Sequence, residues 1–236
     1  MRQVVHIFKK EFKAYFISPI AYIVIAVFLI AIATCWFFFM GFFIINQASL
    51  RGFFFWLPII FSFVIPAVTM RLLSEESNIG SDEILLTMPV TITDVIIGKF
   101  LASVAFVAAM LIATFAYPVV VSRIGQLDWG PVIGGYIGAL FLGAAFCAIG
   151  LFSSSLTRNQ IIAFIIGLAI CFSLTLLDKL QIFLPAGLLG VLSYLGADYH
   201  FQNISKGIID SRDMLYFLSI SFIGLYGAHL ILQERH

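Results

Sequence analysis

The residues of this chain that could do chemistry are few, and their spacing assembles no familiar reaction centre. Glu75 and Glu76 are adjacent carboxylates in the most polar stretch of the chain. No HExxH zinc motif and no GxSxG nucleophile elbow accompanies them. Cys35, Cys147 and Cys171 stand inside apolar runs, without a CxxC or a histidine at metal-ligand spacing. His200 and His229 have no evident sequence partner and read as structural or merely exposed side chains. Gly98-Lys99-Phe100 comes nearest to a phosphate-binding loop, but it lacks the leading glycine at position 93 and the following Ser or Thr. No catalytic residue and no metal site is expected. If ATP drives this protein, another chain binds it.

The elements that would position these groups are set by composition. Of 236 residues, 62% are hydrophobic and 11% charged, against roughly half and a quarter in soluble domains. Too few charges remain to cover a water-facing surface, so lipid must cover much of it. The net charge of +1 and the lack of a basic stripe argue against a nucleic-acid partner. Six apolar segments fall at about 20–45, 53–73, 100–121, 132–152, 161–177 and 214–232. Each can cross a hydrocarbon layer of roughly 30 Å, and backbone without water must be helical there. The spans hold no Asp, Glu, Lys or Arg in their cores, which weighs against an ion-coupled carrier.

Positive charge sets the expected orientation. Arg2, Lys9, Lys10, Lys13, Arg71, Lys99, Arg158 and Arg235 fall on the side shared by both termini, which is therefore predicted to be cytoplasmic. Arg51, Arg123, Lys179, Lys206 and Arg212 fall opposite. The first sixteen residues predict an amphipathic helix lying in the headgroup plane. Phe8, Phe12, Tyr15 and Phe16 share its apolar face, and Lys9, Lys10 and Lys13 its polar one. Glu11 is the exception on the apolar side. Ser18-Pro19 breaks that helix before the first span.

Between spans two and three, Ser81 can cap a short helix over Asp82–Thr87, with Asp82 and Glu83 in its first turn and Pro89 closing it. Ile84, Leu85 and Leu86 are apolar side chains in a polar loop and need a partner. Thr91 and Asp94 can cap the helix leading into span three. In the long connection before span six, Ile182–Ala197 is apolar but short, with Leu184, Pro185, Gly187 and Gly190, and reads as re-entrant or interfacial. Gly134-xxx-Gly138 in span four allows close helix packing, within the chain or at a dimer seam.

Arg71-x-x-x-Glu75-Glu76, then Asp82-Glu83-Ile-Leu-Leu-Thr-Met-Pro89 and Asp94-Val-Ile-Ile-Gly98-Lys99-Phe100, resembles the ABC-2-type transporter permease family over essentially the whole chain. Ser81 stands where that family usually has Thr, and Ser77-Asn78 where basic residues are common. Ser205–Phe217 resembles the gliding-motility and nitrous-oxide-reductase-maturation subgroup. The resemblance implies an all-α inner-membrane subunit, non-catalytic and multi-pass, with both termini cytoplasmic. It implies two copies of a separate ATPase that carry the ATP and Mg²⁺, and pairing as a homodimer or with a homologous permease. Membrane lipid and an accessory membrane or periplasmic subunit are further implied partners. Arg71, Glu75, Glu76 and the segment Asp82–Leu86 would contact the ATPase. Residues 2–16 would form the elbow helix, and Ile182–Ala197 the re-entrant cap. The alternative is a non-transporting scaffold or force-transmitting subunit of a larger machine.

Overall fold

The computed structural model describes residues 2–39, 49–79, 91–179, 194–208 and 210–234. Of these, 90% are helical and none lies in a strand. Chain order is α1 (Arg2–Ile17), α2 (Pro19–Thr34), a π-helical turn (Cys35–Phe39), α3 (Arg51–Thr69) and α4 (Arg71–Ile79). Then follow α5 (Ile92–Thr114), α6 (Ala116–Ile124), α7 (Trp129–Leu156), α8 (Gln160–Leu176), α9 (Ala197–Ser205) and α10 (Ser211–Glu234).

Five stretches are long and apolar enough to cross a membrane: Pro19–Phe39, Arg51–Asn78, Ile92–Ile124, Trp129–Leu156 and Ser211–Glu234. The expected fifth span, α8, has 17 residues. That length rises about 26 Å, a little short of a typical hydrocarbon core. Most helices outrun their apolar segments because polar caps lie beyond the hydrocarbon. Thr91 accepts from the Asp94 amide at 3.2 Å and donates to its carboxylate at 2.7 Å, so α5 starts well before the apolar run. Ser18 accepts from the Ile20 amide and Pro19 occupies the first turn of α2, which separates α1 from the first span.

The centre of the bundle is α7, which touches α3, α4, α5, α8, α9 and α10. Apolar burial gives little net drive between helices surrounded by lipid, so association depends on close packing and polar contacts. Small residues on α7 permit that closeness. A Cβ on Gly134 would lie 2.5 Å from the Ile204 carbonyl oxygen, so the Gly134–Gly138 face is occupied by α9. A Cβ on Gly224 of α10 would lie 2.9 Å from the Ala148 backbone of α7. Polar contacts add to this packing. The hydroxyls of Ser62 on α3 and Thr175 on α8 meet at 2.8 Å. At the break between α3 and α4, the Ser154 hydroxyl of α7 donates to the Met70 carbonyl at 2.8 Å. It accepts from the Leu73 and Ser74 amides at 3.0 Å each, so the backbone groups freed by the break are satisfied.

Near the end of the first span, aromatic side chains pack together among the described residues. Trp36 and Phe53 are buried edge to face at 6.1 Å, while Phe38 and Phe39 point outward. The close backbone approach at Gly224 gives a direct check on the bundle. Gly224→Leu forces α10 off α7 and is expected to destabilise by about 1–3 kcal/mol, as overpacking does. Thermal melting in detergent should fall for this variant and stay near the parent for Gly130→Ala, whose Cβ would meet only Asp128 Oδ1 at 3.4 Å.

Candidate functional site

Where α1, α4 and α5 meet, one buried cation holds three elements together. Lys99 Nζ lies 3.0 Å from Glu11 Oε1 on α1 and 2.8 Å from Glu76 Oε1 on α4. Its side chain is 3% exposed, against 16% and 22% for the two carboxylates. The geometry explains an exception to pattern. Glu11 stands on the apolar face of α1 because that face packs on α5, where Lys99 waits for it. The preceding residue makes the approach possible. A Cβ on Gly98 would come within 2.7 Å of the Ile7 side chain and 3.3 Å of the Val4 carbonyl. With glycine there, α1 seats closely enough for Glu11 to reach the ammonium.

Aromatic rings continue the contact along α1. Phe8, Phe12 and Phe16 form a ladder at 5.7 and 5.0 Å, and Tyr15 stacks on Phe106 of α5 at 4.9 Å. The Arg71 guanidinium, at the start of α4, lies 5.5 Å from the Tyr15 ring centroid. Burial is the main reason that the Tyr15 phenol is pushed far above its ordinary range, and it stays neutral. Lys9, Lys10 and Lys13 are exposed on the opposite face, as the amphipathic pattern predicts, although Val5 is also exposed. A cleft of about 360 Å³ opens at this junction, lined by Lys10, Glu11, Tyr15, Arg71, Glu75 and Lys99 among others.

Of the residues expected to meet an ATPase, Arg71, Glu75 and Glu76 are therefore brought to one place. Glu76 turns inward to Lys99, Arg71 faces α1, and Glu75 is exposed. Asp82, Glu83, Ile84, Leu85 and Leu86 lie outside the described residues, as do Leu184, Pro185, Gly187 and Gly190. The family model described as ABC-2 family transporter protein matches residues 6–230. The chain belongs to that family. A comparison with curated proteins returns no match.

ABC-2 family permeases are membrane components that work with ABC ATPase partners. The polar contacts of this ABC-2 chain join its helices to one another. At the far end of the bundle lies a second junction that sequence reading missed. His200 on α9 is fully buried, with Nδ1 2.6 Å from Asp213 Oδ1 and Nε2 2.7 Å from the Tyr194 carbonyl. A carbonyl only accepts, so Nε2 donates to Tyr194. Tyr216 stacks on the imidazole at 4.0 Å and donates to the Leu195 carbonyl. Just before α9, the Tyr194 carbonyl is thus tied to His200 of α9 and the Leu195 carbonyl to Tyr216 of α10. Lys179 pairs with Asp198 at 2.7 Å and lies over the Phe55 ring at 4.3 Å. Burial first, and Asp198 nearby second, raise the Asp178 carboxyl above its usual range. No local motif marks these pairs; the only signal was a histidine and a carboxylate in a connection otherwise rich in apolar residues.

Removing the central cation tests the first junction. Lys99→Met leaves Glu11 and Glu76 facing one another without a counter-charge. Breaking a buried pair from one side typically costs about 3–5 kcal/mol. Melting of the purified chain should drop sharply, and Lys99→Met with Glu11→Gln and Glu76→Gln should recover most of the loss. A single variant as stable as the parent would show that the junction contributes little.

Proposed function

We propose that this ABC-2 chain is the permease subunit of an ATP-driven, exporter-like transporter in a bacterial inner membrane. In this reading α8 crosses as the fifth of six spans, which places both termini in the cytoplasm. The bias of Lys9, Lys10 and Lys13 supports that orientation. The amphipathic α1 lies in the cytoplasmic headgroup plane, joined to the bundle through Lys99. Two separate ATPase subunits hold ATP and Mg²⁺, and the permease pairs with a second copy or a homologous permease. The Ser205–Phe217 resemblance supports a place in the gliding-motility and nitrous-oxide-reductase-maturation subgroup.

The observation that carries the mechanism is the Lys99 junction. Helix α4 continues the second span beyond the Thr69–Arg71 break and leads into residues 80–90. There the Asp82–Leu86 segment would seat in the ATPase. A push at that seat reaches α4, and the Glu76–Lys99–Glu11 contacts pass it to α5 and α1 together. Without them α4 would be a side arm held mainly by α7 and α8. Closure of the ATPase pair would thus tilt several spans as one piece, the hinge-and-lever behaviour of domain closure. Leu184, Pro185, Gly187 and Gly190 would form the cap at the opposite end of the path, steadied through His200 and Tyr216.

Co-purification with a cognate ABC ATPase, followed by hydrolysis in lipid, tests the reading. The complex should hydrolyse ATP with vanadate sensitivity, and the chain alone should bind no nucleotide. Leu85→Ala with Leu86→Ala should weaken ATPase capture while the chain stays monodisperse, since truncating interface anchors commonly costs about 2 kcal/mol or more. Robust nucleotide binding by the isolated chain would overturn the assignment.

A further inference from the structure

The cleft between α1, α4 and α5 carries more charge than its own pairs consume. Lys10, Arg71 and Lys99 line it with Glu11, Glu75 and Glu76, three cations and three carboxylates. Lys99 is fully engaged by Glu11 and Glu76. Lys10, Arg71 and Glu75 make no ion pair among the described residues. The cleft also has a buried polar group without a match: Tyr15 is 3% exposed and its hydroxyl has no hydrogen-bond partner among the described residues. Two unmatched cations beside one unmatched carboxylate suit a ligand that carries both charges. Its anion must be close to its cation, because all three side chains line a single cleft. The volume of about 360 Å³ falls within the range of small-molecule sites, roughly 300–1,000 Å³.

We infer that this cleft binds the phosphoethanolamine headgroup of a membrane phospholipid. The phosphate would meet the Arg71 guanidinium and Lys10, with the neutral Tyr15 hydroxyl as a further donor. The primary ammonium would meet Glu75. Guanidinium–phosphate pairing is a charge-assisted, bidentate contact, and an ammonium offers three donors to a carboxylate. A lipid source follows from the setting. The exposed Lys9, Lys10 and Lys13 on the outer side of α1, opposite the face that packs on α5, suit a helix at the headgroup level. The inference rests on the proposed cytoplasmic placement of α1. A bound headgroup would add a fourth member to the junction that joins α1 to the lever.

Native mass spectrometry of the delipidated chain, with short-chain phosphatidylethanolamine or phosphatidylglycerol added, tests the site. The wild type should retain phosphatidylethanolamine about tenfold better, the size of one charge-assisted hydrogen bond. Glu75→Gln should erase that preference. Lys10→Gln and Arg71→Gln should weaken both lipids, and the exposed Lys10 keeps that arm readable should Arg71→Gln melt early. Equal retention by the wild type, or a preference that survives Glu75→Gln, overturns the site. Soluble phosphoethanolamine binding as tightly as the lipid overturns the lipid source. Placement is read separately, by thiol labelling of Lys13→Cys. Label from the cytoplasmic face with no lipid preference discards the site alone, and label only from the opposite face discards the placement.

Discussion

A lysine ammonium withdrawn from water is tolerated only when its charge is met, and most of the architecture at one end of this protein follows from meeting the charge of Lys99. Desolvation of one ammonium costs several kcal/mol even after relaxation. The two carboxylates at 3.0 and 2.8 Å offset that cost, but they come from different elements. Lys99 therefore constrains α1, α4 and α5 at once. Each must keep its position, or a buried charge loses a partner. Gly98 is the steric condition for the arrangement, because any side chain there would lift α1 away from α5. The Gly-Lys pair thus works as one unit, in which the first residue permits contact and the second fixes it.

The rest of the bundle is organised around α7 by a different rule. Lipid offers apolar surface everywhere, so specificity comes from shape and hydrogen bonds. Glycines and alanines along α7 let α9 and α10 approach to backbone contact, and Ser154 reaches across to the α3–α4 break. That break matters mechanically. A turn at Met70 separates α3 from α4, and the Ser154 hydroxyl bonds α7 to the turn and to α4. Helix α4 is thereby anchored at its root by Ser154 and along its length by Glu76. At the opposite end, buried His200 and Asp213 join α9 to α10, and Tyr216 holds the Leu195 carbonyl just before α9.

Much of the fold was legible in the sequence because long uncharged runs have few alternatives in a bilayer. The Ser18-Pro19 break and the Thr91–Asp94 cap were legible too, since both are local chemistry. The length of α8 was less secure, and at 17 residues it is the shortest of the expected spans. The Glu11–Lys99–Glu76 junction was half visible. Glu11 broke the apolar face of α1 and Lys99 stood at the head of an apolar run, but 88 positions separate them and only folding brings them together. Helix α9 was missed because ADYHFQNIS reads as a polar loop. Its burial is created by Gly134 and Gly138 of α7, and a tertiary contact of that kind leaves no local mark.

The central claim is that Lys99 makes α1 and α4 move as one piece. Spin labels at Lys13→Cys on α1 and Asn78→Cys on α4, both exposed positions, report their separation directly by pulsed dipolar spectroscopy. In the complex with its ATPase, the distance distribution should be the same without nucleotide and in the vanadate-trapped state. The same pair in a Lys99→Met background should broaden and shift between the two states. A wild-type distribution that changes on trapping as much as the Lys99→Met one would show that the two helices move independently.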